Sequence, residues 1–190
     1  MTSSGKKLLV LDLDETLMYA SMFRLPMPPQ FRLGLAEAVR RPGLGPFLDR
    51  CFALFDVGVW TSATEEYAAE ALGRILPADA HLAFVWCRKK CCRATDPVQG
   101  DQYWVKDATL LVEQGHALES ILVLDDQPRS WGPHADRVIP IPRFLGDPAD
   151  TALTDLLPVL ADAASAPDIP AFLRRFISRS RLVRWGEPPA

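Results

Sequence analysis

Long apolar runs are missing from this sequence of 190 residues, and none approaches the roughly 18 to 20 residues that a membrane-spanning helix requires. Residues 1–7 do not resemble a secretory signal peptide. A large excess of charge of one sign is also missing, because 21 Lys and Arg residues face 24 Asp and Glu residues, for a net charge of −3. We therefore expect a cytoplasmic protein that does not bind membranes, and its overall charge does not favour nucleic acid as a partner.

Cysteine is scarce, with four residues at positions 51, 87, 91 and 92. In a chain of this length without a secretion signal, so few cysteines predict reduced thiols rather than a disulfide framework. Cys87, Cys91 and Cys92, with His81, could suggest zinc, but their spacing matches no paired Cys-x-x-Cys pattern. We expect these thiols to be half-buried in a β insert, and the sequence leaves their role open.

The remaining composition is that of an ordinary globular protein, with 48% hydrophobic and 24% charged residues. A chain of this length can bury a sizeable core without a structural metal or disulfides. We therefore expect residues 1–190 to form one domain.

Short apolar runs alternate with segments of helical periodicity over most of the chain. Four runs are predicted strands: Lys7 to Asp14, Asp56 to Thr61, Ser120 to Asp126, and Arg137 to Ile141. Three segments are predicted helices: Pro46 to Phe55, Glu65 to Leu76, and Thr109 to Gln114. Pro140 suits only an edge strand, and Ser62 with Glu65 has the spacing of a helix capping box. This alternation predicts an α/β fold with a doubly wound parallel sheet.

Two segments do not follow the alternation, residues 20–41 and 82–105, and we expect both to be small antiparallel β inserts near the ligand crevice. The C-terminal residues 150–185 have helical spacing in two pieces, separated by Pro167 and Pro170. The second piece is rich in arginine, at positions 174, 175, 179, 181 and 184. Because Phe172 and Phe176 alternate with these cations, packing on the core is favoured over contact with membrane or nucleic acid.

Acidic residues follow two of the predicted strands. Asp12 and Asp14 end the first, and Asp125 with Asp126 ends the third. Neighbouring carboxylates repel one another unless a cation or a phosphoryl group lies nearby. Hydroxyls at Thr16 and Thr61 and an ammonium group at Lys106 complete the set. Hard oxygen ligands at the carboxyl edge of a parallel sheet predict a Mg²⁺ site that handles phosphate.

These residues lie in motifs that resemble those of the haloacid dehalogenase superfamily, in the form typical of the Fcp1-like, NLI-interacting-factor type of phosphatases, which act on the C-terminal domain of RNA polymerase II. The matching segments, in the family's order and spacing, are Asp12-Leu-Asp14-Glu-Thr16, Arg41-Pro-Gly, Trp60-Thr61-Ser62, Tyr103-Trp-Val-Lys106-Asp107, and Asp125-Asp126-Gln-Pro-Arg-Ser130-Trp131. Four ordered catalytic motifs are far more specific than one. The resemblance implies a haloacid-dehalogenase-like fold without a large cap domain.

The resemblance also implies a two-step phosphoryl transfer. Asp12 would form an aspartyl-phosphate, and Asp14 would protonate the leaving oxygen and then activate water. The carboxylate of Asp12, the backbone carbonyl of Asp14 and the pair Asp125 and Asp126 would hold Mg²⁺, with either member of the pair as the closer ligand. Phosphate oxygens would be bound by four residues: Thr16, Thr61, Ser62 and Lys106. Asp125 would also orient Lys106.

A complete core within 190 residues leaves space only for small inserts, so the crevice should stay open and suit a macromolecule. Phosphoserine or phosphothreonine in a protein is therefore the expected substrate. The alternatives are a phosphatase for small metabolites or nucleic-acid ends, and a noncatalytic phospho-binding module. A basic cluster at Arg88, Lys89, Lys90 and Arg93 could attract acidic residues of a substrate, and a plain solvated face is an equal alternative. Trp60, Trp104 and Trp131 adjoin the motifs, where packing is favoured over substrate stacking.

Overall fold

The computed structural model describes residues 5–179, and these residues form ten strands and five α-helices. The strands are β1 (Lys7–Leu11), β2 (Met18–Ser21), β3 (Phe31–Leu33), β4 (Ala36–Arg40), β5 (Phe55–Trp60), β6 (Val85–Trp86), β7 (Cys92–Thr95), β8 (Gln102–Val105), β9 (Ile121–Asp125) and β10 (Val138–Pro140). The helices are α1 (Leu44–Leu54), α2 (Glu65–Ile75), α3 (Thr109–Glu113), α4 (Ala152–Ser165) and α5 (Ile169–Arg179). The structure confirms the predicted α/β class.

A parallel sheet of five strands in the order β10-β9-β1-β5-β6 forms the centre of the fold. The four predicted strands are all present, and the strand that contains Pro140 lies at an edge, as predicted. The prediction that residues 82–105 are wholly an antiparallel insert was wrong at their start, because Val85–Trp86 pairs parallel with the end of β5. Gly58 in β5 permits this approach, since a Cβ there would overlap the Phe84 ring.

Both faces of the sheet are covered, which explains the continuous apolar runs of β1 and β9. Alternate residues of β1 enter different clusters: Leu9 and Leu11 pack with the apolar faces of α1, α2, α4 and α5, whereas Leu8 and Val10 pack with Trp60 and other residues of the opposite layer. Packing on both faces therefore fixes the position of each strand in the sheet. It also fixes where each strand ends and where the residue after it lies.

The two inserts are small antiparallel sheets. Strands β2, β4 and β3 form one of them, and the hairpin of β7 and β8 forms the other. Within residues 5–179 these are the largest additions to the central sheet, and no large cap domain covers it. None of the helices in this range is long and apolar enough to cross a membrane.

Helix α2 begins at Glu65, as predicted, but the start of α1 and the N-cap of α2 differ from the predictions. Helix α1 begins at Leu44, before the predicted Pro46. The N-cap of α2 is Thr64, whose hydroxyl accepts from the Tyr67 N–H at 3.4 Å, and the predicted capping box from Ser62 is wrong. Ser62 lies instead in a turn after β5, in which the Thr61 hydroxyl accepts from the Ala63 N–H at 3.0 Å.

The C-terminal segment forms two helices, as predicted, with Pro167 between them and Pro170 in the first turn of α5. Leu173 is buried, and Phe172 and Phe176 pack against the main core, so core packing is confirmed for these residues. The predicted helical residues 180–185, with Arg181 and Arg184, lie outside the described residues.

Candidate active site

The carboxyl ends of β1, β5 and β9 bring the predicted residues together at one edge of the sheet. Asp12 follows β1, Thr61 follows β5 and Asp125 ends β9. They line a cleft of about 210 Å³ together with Asp14, Ser62, Lys106, Asp126 and several neighbours. The sheet topology therefore places these side chains at one site, as the sequence predicts.

The loop after β1 is a tight turn that presents Asp12 and Asp14. The Asp12 N–H donates to the carbonyl of Leu124 at 3.0 Å, which extends the pairing with β9 past the end of β1. Glu15 adopts a left-handed conformation with φ 57°, which is uncommon for a residue with a Cβ. Its N–H donates to the Met18 carbonyl at 2.8 Å and its carbonyl accepts from the Phe144 N–H at 2.7 Å, so the turn is fixed at both ends.

Lys106 is the cation at the centre of the site and is buried. Its Nζ donates to Asp12 Oδ1 and to Asp125 Oδ2, each at 2.7 Å. Asp125 is held further by the Trp131 Nε1–H at 2.9 Å and by the Gln127 N–H at 2.8 Å. Lys106 therefore has a fixed position between two carboxylates. Its bond to Asp125 is the contact that Asp125 would need in order to orient Lys106.

Thr16 is buried behind the acids and does not line the cleft. Its hydroxyl donates to Asp12 Oδ2 at 3.0 Å and accepts from the Asp126 N–H at 3.2 Å. In contrast, the hydroxyl of Thr61 lines the cleft and, because it accepts from the Ala63 N–H, retains its own proton for donation. Ser62 lines the cleft beside Thr61.

Burial of the acidic side chains changes their protonation equilibria. Burial raises the pKa of Asp12 well above its usual range, and the neighbouring Lys106 opposes this shift while Asp125 adds to it. Burial, with Asp125 and Glu15, raises the pKa of Asp126 to about 6. Burial alone would lower the pKa of Lys106, but Asp12 and Asp125 outweigh it and the pKa is raised. Lys106 is therefore charged. Its single positive charge is smaller than the negative charge of Asp12, Asp125 and Asp126 when all three are ionised.

Tyr67, which the sequence reasoning did not include, contacts Asp14. The Tyr67 hydroxyl donates to Asp14 Oδ1 at 2.6 Å. Burial raises the pKa of Asp14, and the bond from Tyr67 opposes that rise. Tyr67 lies in the first turn of α2, the helix that follows β5 and Thr61, and this position near the carboxyl edge of the sheet was the signal that could have identified it.

The predicted Arg-Pro-Gly turn also has a contact that the sequence did not reveal. Arg41 is buried, and its Nε and Nη2 donate to the two carboxylate oxygens of Asp150, each at 2.8 Å. Its Nη1 donates to the Thr16 carbonyl at 3.1 Å, and Nη2 also donates to the Pro142 carbonyl at 2.8 Å. One guanidinium thus connects the loop after β1, the loop after β10 and the segment before α4.

Comparison with known families supports the resemblance of the motifs. Residues 7–170 match the model of the family described as NLI interacting factor-like phosphatase. This chain belongs to that family. The match includes every residue of the cleft described above.

Curated relatives of this NLI interacting factor-like chain include proteins named as phosphatases. Phosphatase PSR1 of Saccharomyces cerevisiae is 32% identical, over 85% of this chain and 37% of its own length. CTD nuclear envelope phosphatase 1B of Danio rerio is 29% identical, over 93% of this chain and 75% of its own length. An uncharacterized protein of Schizosaccharomyces pombe is 32% identical, and this chain spans 51% of its length.

A solved structure confirms the fold of this family member. The structure of Fcp1, an essential RNA polymerase II CTD phosphatase, superimposes with a TM-score of 0.53 at 18% identity, over 97% of this chain and 55% of that chain. At this identity the likeness shows the fold, and the fold is the predicted haloacid-dehalogenase-like type.

Three carboxylates of the cleft form a group that could bind a small divalent cation. Asp12, Asp125 and Asp126 each offer an oxygen, and these oxygens lie within 4.8 Å of one another. Asp126 Oδ2 is buried and has no hydrogen-bond partner among the described residues, and its closest cation is Arg143 Nε at 3.8 Å. A buried carboxylate oxygen without a donor is costly, and hard oxygen ligands of this kind suit Mg²⁺. The Asp14 carboxylate is not part of this cluster and faces Tyr67.

The cysteines are free thiols, as predicted, but the prediction that Cys87, Cys91 and Cys92 are all half-buried was wrong for Cys87 and Cys92. Cys87 is buried, Cys91 is half-buried and Cys92 is exposed. Cys91 Sγ lies 3.7 Å from the carbonyl oxygen of Thr61, and burial raises the pKa of its thiol. Within residues 5–179, the cysteines do not join His81 in a group that could hold a metal ion.

Proposed function

We propose that this chain is a Mg²⁺-dependent phosphatase that hydrolyses phosphomonoesters, with phosphoserine or phosphothreonine in proteins as the substrate, through an aspartyl-phosphate intermediate. The observation that carries this proposal is the arrangement of Asp12 and Asp14 at an open cleft, with Lys106 bonded to Asp12 at 2.7 Å. A carboxylate nucleophile, a second carboxyl group and a fixed cation are the groups that this phosphoryl transfer uses.

In the first step, a carboxylate oxygen of Asp12 attacks phosphorus while the bond between phosphorus and the substrate oxygen breaks. The carboxyl group of Asp14 gives its proton to that leaving oxygen. In the second step, water attacks phosphorus, Asp14 takes the water proton, and the bond to Asp12 breaks to release phosphate. Both carboxyl groups line the same cleft, so the nucleophile and the proton donor can act on one phosphoryl group.

Three side chains are assigned to the phosphoryl oxygens. Lys106 is fixed and charged, and Thr61 keeps a free hydroxyl proton at the cleft wall. Ser62 lines the cleft next to Thr61. Donors that are already in place stabilise the charge that develops in the transition state. Thr16 is assigned a positioning role instead, because its hydroxyl is bonded to Asp12 and Asp126.

The metal would be held by Asp12, by the backbone carbonyl of Asp14 and by Asp126. Both oxygens of Asp125 accept hydrogen bonds, whereas Asp126 Oδ2 has no hydrogen-bond partner among the described residues, so we assign Asp126 as the closer ligand of the pair. When bound, Mg²⁺ supplies positive charge that reduces repulsion between an anionic nucleophile and an anionic substrate.

The substrate class is inferred from the access to the cleft. Within residues 5–179 only two small antiparallel sheets flank the site, which leaves it open to a phosphorylated side chain of a protein. Names of relatives such as CTD small phosphatase-like protein agree with a protein substrate. We further propose that residues 1–190 act as one domain and that the protein is cytoplasmic, although some relatives carry the nuclear envelope in their names.

The test is hydrolysis of p-nitrophenyl phosphate, a panel of phosphoserine and phosphothreonine peptides, and a panel of phosphorylated metabolites, each with Mg²⁺ and with EDTA. We expect hydrolysis that requires Mg²⁺, stops with EDTA and is faster on peptides. Faster release from a metabolite would reassign the substrate, and turnover that is insensitive to EDTA would contradict the metal assignment. Binding of phosphopeptides without any phosphate release would replace the proposal with a noncatalytic module.

Tyr67→Phe is expected to lower kcat more for substrates with poor leaving groups than for substrates with good ones. The Tyr67 hydroxyl fixes one oxygen of Asp14 at 2.6 Å, and loss of that bond leaves the acid poorly oriented. A poor leaving group needs the proton of Asp14, so kcat on a phosphoserine peptide should fall about tenfold. p-Nitrophenyl phosphate has a good leaving group, and its kcat should change less than about twofold.

The matched control for this measurement is Tyr103→Phe, which removes a tyrosine hydroxyl at the same cleft, where the ring packs under Arg129. Tyr103→Phe should leave the ratio of kcat on the phosphoserine peptide to kcat on p-nitrophenyl phosphate unchanged. An equal loss on both substrates in Tyr67→Phe would contradict the role assigned to Tyr67.

A further inference from the structure

The hairpin of β7 and β8 forms one wall of the catalytic cleft and carries an aromatic residue that faces two cavities. Trp104 of β8 lines the cleft together with Asp14 and Ser62. It also lines a neighbouring cavity of about 440 Å³, whose wall includes Arg88 and Cys91. A chain that leaves the cleft over Trp104 therefore enters this second cavity directly.

Two guanidinium groups lie against the Trp104 ring. Arg93 is the residue opposite Trp104 in the antiparallel pair, and its guanidinium carbon lies 5.1 Å from the ring centre. The guanidinium carbon of Arg88 lies 5.5 Å from the same centre, and its Nε donates to the Ser62 carbonyl at 2.7 Å. Stacking on an aromatic ring restricts a guanidinium and leaves its N–H groups available at the edge.

The positive charge on this rim is mostly uncompensated. Lys89 pairs with Glu65 at 2.8 Å, which neutralises one cation of the cluster. Arg88, Lys90 and Arg93, in contrast, have no carboxylate within ion-pair distance among the residues that the structure describes. Glu65 and Glu66 also line the second cavity, so the excess positive charge of the rim lies on Arg88, Lys90 and Arg93, beside a cleft that is rich in carboxylates.

We propose that Arg93 and Trp104, with Arg88 against the same ring, form a subsite for an anionic side chain of the substrate. The occupant is an aspartate, glutamate or second phosphorylated residue within about three positions of the phosphorylated residue that enters the cleft, because Trp104 lines both the cleft and the neighbouring cavity and an extended chain advances about 3.3 Å per residue. This inference rests on the proposed phosphatase function and narrows its substrate class to acidic phosphopeptides.

The physical basis is charge complementarity. A carboxylate that reaches the rim gains two-point hydrogen bonding from a guanidinium whose position the indole ring already restricts, so less side-chain freedom is lost on binding. The rim also attracts an acidic substrate from a distance, an effect that salt weakens. A neutral peptide gains neither contribution.

The experiment compares phosphoserine peptides that differ only by Asp or Asn at single positions from −3 to +3. For the wild-type protein with Mg²⁺ we expect kcat/KM to be about three to tenfold higher for Asp at positions on one side of the phosphoserine. The preference should shrink between about 50 and 500 mM NaCl, since the interacting groups are exposed.

Arg93→Gln should reduce the ratio of kcat/KM between the Asp and Asn peptides to near one, and Arg93→Lys should give an intermediate ratio, because it retains charge without the planar fork. The matched control is Arg50→Gln, which removes an exposed arginine of α1 outside the cluster and should keep the full ratio. Each ratio is measured within one variant, so changes in folded fraction do not affect it.

The outcomes separate the two proposals. Absence of an Asp preference in an active wild-type protein, or a preference that persists in Arg93→Gln, overturns the subsite and leaves the phosphatase function intact. Absence of hydrolysis of p-nitrophenyl phosphate as well as of every peptide overturns both.

Discussion

Asp12→Asn is expected to lower kcat at least about a thousandfold on every substrate, because the amide cannot form the aspartyl-phosphate. The variant keeps the shape of the side chain, and Lys106 keeps its bond to Asp125 at 2.7 Å. Burial raises the pKa of Asp12, so the ionised carboxylate at neutral pH weakens the fold rather than stabilising it. Its removal should therefore leave the melting temperature within a few degrees of the wild-type value.

The measurement is kcat on p-nitrophenyl phosphate and on a phosphoserine peptide, with thermal unfolding of the same samples. Asp162→Asn is the matched control, since it makes the same replacement of one carboxylate oxygen by an NH2 group at an exposed aspartate of α4. Wild-type turnover by a folded Asp12→Asn protein would show that another group is the nucleophile.

Lys106→Met should have the largest combined effect on stability and turnover. Lys106 Nζ bonds to Asp12 and Asp125, and the three side chains are at most 10% exposed. Loss of the cation leaves two buried carboxylates uncompensated, which costs about 3 to 5 kcal/mol of unfolding free energy. The phosphoryl oxygens also lose a fixed positive donor, so kcat should fall about a hundredfold or more.

Urea unfolding and steady-state kinetics measure the two effects separately. Lys89→Met is the contrasting control, because its pair with Glu65 is exposed and screened by solvent, so its loss should leave the urea midpoint close to that of the wild type. Adding Asp125→Asn to Lys106→Met should recover part of the lost stability, since it removes one uncompensated charge, and should not recover turnover. If the stability of the double variant falls further instead, repulsion between the acids is not the cause of the loss.

The meeting of Asp12, Thr61 and Asp125 was predictable because each follows a short apolar run, and parallel strands end at the same edge of their sheet. The position of Lys106 was less predictable from the strand pattern. Lys106 follows β8 of the insert, and the course of that hairpin determines whether its side chain lies near Asp12. Its motif, rather than its periodicity, identified it.

Contacts that depend on tertiary approach could not be predicted. Tyr67 and Asp14 are separated by 53 positions, and Arg41 and Asp150 by 109, so neither pairing leaves a local pattern. Strand β6 has two residues, too few for a period of two to be detected. The capping box was predicted from Ser62, and the N-cap is Thr64 instead, because the turn after β5 is a tertiary feature that the local spacing does not show.

The guanidinium of Arg41 makes the catalytic loop depend on a distant part of the chain. Because it bonds at once to the Thr16 carbonyl and to Asp150, the loop after β1 cannot open without releasing the segment that leads into α4. The two regions should consequently share one cooperative opening reaction rather than fluctuate independently. A partner that binds or displaces α4 would then change how often the nucleophile leaves its working position, although it never touches the cleft.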